Sequence, residues 1–370
     1  MSYFYLPRVY GYLNLKKNIE YSHDEIVPNT NLTFYLKKMK NEKEEIKENW
    51  TKMKRRCFPY YILNSSRNAN MFNKYNPYHR KFFVYIEIIN TMMILQNFLS
   101  STQILIYCSG DYCVSIYESY LYLQKNNIVF HCDNTEQWRN ENLNISHKNL
   151  ILLNDIKSNI LDNTLLTKIF TKYKKYFHIL NCDIKFKNYE ENEKKEQKLT
   201  LESYIYLNIL YCLMMQRDGG YLILKLPNIF NKIYQQILYF LSTMYEKVVV
   251  MKPQICKNIN SEKYIICKNL IVHYDSYTLY ELITIYIASF AENKKKYIKN
   301  ILEAELPLFY INKLDECNAI LGQQQLEVMA SLLNTCILET ADSTDRLEII
   351  ETKVHDKCVN WCYLNNFKLN

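Results

Sequence analysis

Three polar residues far apart in the chain have the types and placement to take a proton from a hydroxyl group. Asp183 ends an apolar run that begins at Phe177-His178-Ile179-Leu180. Lys225 ends a second run, Tyr221-Leu222-Ile223-Leu224, which follows Gly219-Gly220. Glu262 lies in Asn260-Ser261-Glu262-Lys263-Tyr264, where a third run begins that ends near Lys268. As neighbouring strands of an α/β sheet, these runs bring an acid, a lysine and an acid to one place. A lysine whose pKa is lowered by burial or by a nearby cation accepts or steers a proton. Flanking acids then hold it and the hydroxyl in a near-attack arrangement.

Other apolar runs end in similar fashion. Residues 104–107 are followed by Gly110 and Asp111, residues 128–130 by His131-Cys132-Asp133, and residues 150–153 by Asn154-Asp155. Ligands of open α/β sheets sit beyond the carboxyl ends of the parallel strands. Gly110, Asp111, Asp133 and Asp155 are therefore candidate ligand-binding residues. Asp133, at the second strand end, has the place of an acid that binds ribose hydroxyls. Asp155 is a candidate acceptor for an adenine amino group. For any one of these acids taken singly, capping of the following helix is the better explanation.

The elements that must carry these residues follow from the apolar pattern. Residues 82–98 form a run long enough for a buried helix, ended by Ser100-Ser101-Thr102, and a second helix is expected over about 115–124. The charged run 185–198 reads as an exposed loop. Residues 199–216 form a strongly apolar helix, which Arg217-Asp218-Gly219-Gly220 is expected to close with a glycine in the left-handed conformation. A strand over 221–226 stops at Pro227, and a helix spans about 230–245. Strands over 247–251 and 263–268 share a short loop and no helix, which implies a hairpin and an antiparallel strand at the sheet edge. Short apolar strands without strict alternation, separated by helices, indicate a parallel sheet covered on both faces. The expected fold is α/β, mostly parallel, with helices on both faces and an antiparallel C-terminal hairpin strand. Residues 1–75 read as an irregular or helical leader, 76–270 as the α/β domain and 271–370 as a helical extension.

Composition sets broad limits. The 370 residues suffice for one large domain or two, and 48% apolar with 23% charged residues is ordinary for a soluble globular protein. The net charge of +8 suits a polyanionic partner such as RNA. Abundant Tyr (34) with scarce Gly (5) and Pro (7) looks like an AT-rich genome, whose bias toward lysine explains the charge equally well. The basic and acidic stretch from Lys37 to Arg56 reads as a helix with a solvated face, ahead of an RNA-facing one. The 12 cysteines include no Cys-x-x-Cys pair, so neither a zinc knuckle nor a disulfide framework is indicated. His355, Cys358 and Cys362 lack a fourth ligand for a tetrahedral site, and no metal is expected. The first residues lack the pattern of a signal peptide. No apolar run approaches the ~20 residues of a membrane helix. An intracellular protein with reduced thiols and no membrane partner is expected.

Cys182-Asp183, then Gly219-Gly220-Tyr221-Leu222-Ile223-Leu224-Lys225, then Lys252-Pro253 and Asn260-Ser261-Glu262-Lys263-Tyr264-Ile265 resemble the FtsJ-like RNA ribose 2'-O-methyltransferases. The resemblance runs from about Lys81 to Leu270. With Glu87-Ile88-Ile89-Asn90-Thr91-Met92 it is closest to the FtsJ-like proteins of large cytoplasmic DNA viruses, of the African swine fever virus type. It implies a Rossmann-like methyltransferase sheet, S-adenosylmethionine as methyl donor, and capped mRNA as acceptor. The implied location is cytoplasmic, in a host cell or a virion. The family's Lys-Asp-Lys-Glu tetrad carries over as Asp183, Lys225 and Glu262. Val84 aligns with the first lysine, and Lys81, about one helical turn away, is the candidate substitute.

Other positions depart from the family. Its glycine-rich cofactor turn is here Cys108-Ser109-Gly110-Asp111-Tyr112-Cys113, where Tyr112 and Cys113 are expected to crowd the site. Its Ser-Arg pair is replaced by Cys256-Lys257, which keeps the charge and loses the planar fork. An alternative reading therefore keeps the fold and makes the chain a non-catalytic RNA-binding or scaffolding subunit of a capping or transcription complex. The C-terminal extension is a candidate surface for a protein partner. A methyltransferase acting on a small molecule or protein is a third reading. It is disfavoured because a lysine between two acids serves no purpose on an acceptor that is already nucleophilic.

Overall fold

The computed structural model describes residues 2–11, 14–24, 30–45, 63, 77, 79–98, 102–108, 112–123, 128–133, 149–153, 160–184, 199–256, 259–271, 274–339 and 344–368. Ten strands occur among them: β1 (Ser2–Leu6), β2 (Leu15–Ser22), β3 (Thr102–Cys108), β4 (Ile128–Asp133), β5 (Leu150–Leu153), β6 (Phe177–Asp183), β7 (Gln216–Leu226), β8 (Tyr245–Lys252), β9 (Lys263–Leu270) and β10 (Tyr297–Leu302). Eight build one sheet in the order β1-β8-β9-β7-β6-β3-β4-β5, while β2 and β10 form an antiparallel pair apart from it. Within the large sheet β3 to β7 are mutually parallel, and β8 shares their direction because β9 runs antiparallel to both β7 and β8. The order reverses between β3 and β6, where connections leave in opposite directions. This is the switch point of a doubly wound, Rossmann-like sheet.

Both faces are covered, which is why the central strands read as continuous apolar runs. Successive side chains on a strand point to opposite faces. On one face Leu222, Leu224 and Leu226 of β7 join a core with α4 (Asn163–Tyr173), α5 (Leu201–Met215), α6 (Lys232–Met244) and α7 (Ser276–Glu292). On the other, Ile104, Ile106, Ile223 and Ile266 pack against α2 (Lys81–Thr91) and α3 (Tyr112–Leu123). Helix α5 is apolar nearly all round because it is buried nearly all round, as a helix hydrophobic on every side must be. Helices α4, α6 and α7 start on side-chain caps: Asp162, Asn231 and Asp275 each accept from a backbone N–H two residues on. No helix among the described residues is long and apolar enough to cross a membrane.

Several expectations from sequence need correction. The N-terminal residues are not merely a leader: β1 adds antiparallel to β8 and forms the sheet edge, and α1 (Asn31–Glu45) packs on α8 (Leu308–Glu339). The antiparallel strand β9, expected at the sheet edge, lies inside the sheet, because β8 pairs on its outer side and β7 on its inner side. The C-terminal part is helical in α8 and α9 (Thr344–Leu364), yet it also contributes β10. The expected long helix 82–98 stops at Thr91, because Met93 takes φ 51° and a short 3₁₀ turn (Ile94–Asn97) follows. Gly219 does adopt a left-handed φ of +77°, but inside β7 rather than as a helix cap. There Gln216 pairs with Phe177 and Tyr221 with Ile179, so β7 bulges between them. The charged loop 185–198 and the stretch 46–56 lie outside the described residues.

Candidate active site

Asp183 is the last residue of β6, in register with Cys108 at the end of β3, so it stands at the switch point itself. Side-chain alternation sends Asp183, Lys225 of β7 and Tyr264 of β9 to the same face, the one that α2 covers. Helix α2 begins at Lys81, and its amine reaches down to the sheet. Lys81 Nζ lies 2.5 Å from Asp183 Oδ2, and Lys225 Nζ lies 2.6 Å from Asp183 Oδ1. Lys81 also donates to the Tyr264 hydroxyl, which in turn donates to Asp183 Oδ2 at 3.1 Å. Asp183 is fully buried and the lysines are 3% and 2% exposed. Val84, the position aligned with the first lysine of the tetrad, is buried in the apolar core, and Lys81 one turn earlier occupies the polar centre.

Glu262 sits beside this trio. The Arg80 guanidinium is 4.0 Å from its carboxylate. Burial works to raise the Glu262 pKa, but Lys81, Lys252, Lys225 and Arg80 outweigh it and hold the carboxyl below its usual range. Asp183 behaves alike: burial opposes its charge, and Lys225 and Lys81 together keep it ionised. The lysines part company. Burial dominates at Lys81, aided by the Lys225 charge, and pushes its pKa down. Burial also opposes the charge on Lys225, yet Asp183 and Glu262 overcome it and raise the pKa. The expectation of a lowered pKa at Lys225 is thereby corrected, since the base-like lysine of the pair is Lys81.

Tyr112, the first residue of α3, covers both amines. Its ring centre is 4.9 Å from Lys81 Nζ and 5.2 Å from Lys225 Nζ, within cation–π range. The crowding expected here thus falls on the lysines. Cys113 turns inward to the core, with Sγ 4.0 Å from the Ile106 carbonyl. Gly110, Asp111 and Asp155 lie outside the described residues, as does Lys257. Asp133 ends β4 as expected, although its side chain is outside the described set. Cys358 and Cys362 are buried in the core, while His355 is paired with Asp356 at the surface. No group of three or more metal-type ligands occurs among the described residues.

Sequence reasoning gave no role to Tyr264, Arg80 or Glu87. Tyr264 had a signal: it lies two residues after Glu262 at the start of an apolar strand, where period-two alternation fixes its face. Arg80 had none, because its neighbourhood with Glu262 depends on how α2 crosses the sheet.

These features define a doubly wound α/β domain with a lysine–aspartate–lysine centre at its switch point. Residues 123–270 match the family of FtsJ-like methyltransferases, and this segment holds Asp183, Lys225, Glu262 and Tyr264. Lys81 and Tyr112 precede it. Among similar proteins is the "Cap-specific mRNA (nucleoside-2'-O-)-methyltransferase 1" of Bos taurus, 28% identical over 123 residues, covering 33% of this chain and 14% of that one. The protein of that name from Trypanosoma cruzi is 38% identical over 58 residues, 16% of each chain. The matched region is thus a small part of either relative. A putative class I S-adenosylmethionine-dependent methyltransferase from Listeria monocytogenes superposes with a TM-score of 0.33 at 10% identity, covering 58% of this chain and 67% of that one. The fold assignment rests on the strand order.

Proposed function

We propose that the chain transfers a methyl group from S-adenosylmethionine to a ribose 2'-hydroxyl of capped mRNA. The observation that carries this reading is the buried Asp183 carboxylate shared by two lysine amines, with Glu262 beside it, at the carboxyl ends of parallel strands. The strand ends support a nucleoside there: β3, β4 and β6 end on one side of the sheet, where doubly wound sheets take ligands, and α3 begins four residues after β3, at Tyr112. Asp133 at the end of β4 would hold the ribose, and Asp155 the adenine. When bound, the donor supplies an electrophilic sulfonium methyl.

The chain's own residues handle the acceptor. Lys225, kept charged by Asp183 and Glu262, donates to the 2'-oxygen and stabilises the negative charge that grows on it during attack. Lys81, whose charged form burial disfavours, takes the proton. The bound donor would give up its methyl and remain a neutral thioether, so the chain has only the hydroxyl's proton to place, on Lys81. Tyr112 must swing aside, since its ring covers both amines. Once displaced it offers a flat surface on which a nucleobase can stack.

The finer kinship we infer is with the FtsJ-like proteins of large cytoplasmic DNA viruses, supported by the segment Glu87 to Met92 at the end of α2. In this reading the chain works in the cytoplasm of a host cell or in a virion, and the exposed faces of α8 and α9 receive a protein partner. A second reading, a non-catalytic RNA-binding subunit, is favoured by Tyr112 lying over the amines. Radiolabelled methyl transfer to capped RNA separates the two. Label in the 2'-O position with the wild-type chain, lost in Lys225→Ala, is the expected result. Binding of capped RNA with no transfer and no S-adenosylmethionine binding selects the second reading.

A further inference from the structure

Between β8 and β9, the described residues 253–256 and 259–262, Glu262 among them, lie in no strand or helix, yet side chains from four elements hold them. Glu87, on α2, is fully buried and accepts from the backbone N–H groups of Gln254 at 2.6 Å and Ile255 at 3.2 Å. Its carboxylate also accepts from the indole N–H of Trp361, on α9, at 2.8 Å. From the other side, Gln325 of α8 donates to the Ile259 carbonyl at 2.9 Å and to the Ser261 hydroxyl at 3.3 Å. Lys252 donates to the carbonyls of Asn260 and Glu262, each at 2.8 Å, and Lys263 to that of Ser261 at 3.0 Å.

We propose, on the methyltransferase reading above, that Trp361, Glu87 and Gln325 are positioning residues, through which the C-terminal helices set Glu262 against the Lys81–Asp183–Lys225 centre. The geometry supports more than packing. A helix that only shielded the sheet needs apolar contacts, such as Trp361 already makes with Phe83. Placing a carboxylate in that core is costly unless each acceptor site is filled. Here the filling donors are the loop's own amides and the indole. Helix α2 bears Lys81 at its start and Glu87 further along, so one rigid element spaces the amine from the loop that carries the acid. Gln325 fixes the other end of that loop. The C-terminal region is thereby part of the catalytic framework rather than an appendage.

The test uses the full chain with Trp361→Phe and Gln325→Leu, singly and together; both remove the donor, Gln325→Leu at nearly unchanged volume and Trp361→Phe with loss of one buried ring. Backbone hydrogen exchange across residues 254–262 is expected to quicken by about fivefold or more, as for loss of a buried hydrogen bond. Exchange in β6 and β7 stays at the wild-type rate. In methyl transfer to capped RNA, kcat falls by about tenfold to a hundredfold, as expected for a displaced catalytic group, with KM unchanged. Unchanged exchange in the double variant overturns the proposal. So does faster exchange with an unaltered kcat, which reduces these contacts to structural support. If the wild-type chain transfers no methyl group, the functional reading has failed separately. The exchange measurement then decides whether these residues place the loop.

Discussion

Lys225 and Tyr264 stand directly opposite each other on β7 and β9, and both side chains reach the same carboxylate, that of Asp183. Insertion of an antiparallel strand beside a parallel one makes this possible. Residues directly opposite share a sheet face, so the phenol arrives beside the lysine without any loop to place it. Tyr264 then ties Lys81 to Asp183, and the three ionisable groups become one hydrogen-bonded unit.

Tyr264→Phe keeps the ring and removes that tie. Lys81 loses an acceptor and Asp183 a donor, both buried. The expected cost is about 1–3 kcal/mol of stability, measured by urea unfolding. Methyl transfer should slow with S-adenosylmethionine affinity unchanged, because the tie lies on the proton-transfer side of the centre.

Asp183→Asn leaves the two buried amines without the carboxylate they share. Removing one member of a buried ion pair costs about 3–5 kcal/mol. Thermal unfolding should show the loss at neutral pH. The deficit should shrink as pH rises and Lys81, whose pKa burial already lowers, gives up its charge.

The rate should climb with pH and then fall. Lys81 must be neutral to accept a proton, and burial lowers its pKa, so the rising limb lies below the ordinary lysine value of 10.5. Lys225 must stay charged, and Asp183 and Glu262 raise its pKa above that value, so the falling limb lies higher. A kcat–pH profile checks the order of the limbs. Lys81→Arg should be inactive across the range, since guanidinium does not give up its proton.

Gly220→Ala tests the bulge in β7. A Cβ there would meet the Arg217 carbonyl at 2.7 Å and the His178 carbonyl at 2.9 Å, both backbone atoms. Such overpacking is expected to cost about 1–3 kcal/mol, measured by chemical unfolding. At Gly219 space is open, with the Asn269 side chain 3.7 Å away, and strain at φ +77° is the whole penalty. There Gly219→Ala is expected to cost about 1–2 kcal/mol.

Much of this was legible in the residues. Apolar runs ending in Asp183 and Lys225 disclosed strands, because strands buried on both faces cannot alternate. Lys81 was recoverable as a substitute for Val84 because positions three apart share a helix face. The edge strand β1 was not legible, since a short strand that pairs with residues some 250 positions away leaves no local signature. The link from Trp361 to Glu87 was equally silent. A tryptophan on an apolar helix face is ordinary core, and only the packing of α9 on α2 turns its N–H toward a carboxylate.

The sequence by itself determined the layers of the fold, the strand ends and the acid–lysine–acid set of Asp183, Lys225 and Glu262 as candidates. These depend on periodicity and side-chain type, which are local properties of the chain. The tertiary structure decided in which direction the pKa of each lysine moves. Lys81 and Lys225 are the same residue type at similar burial, and their pKa values move apart because Glu262 and Asp183 outweigh burial at one and not at the other. Electrostatic energy depends on distances between side chains far apart in the chain, and those distances exist only after folding.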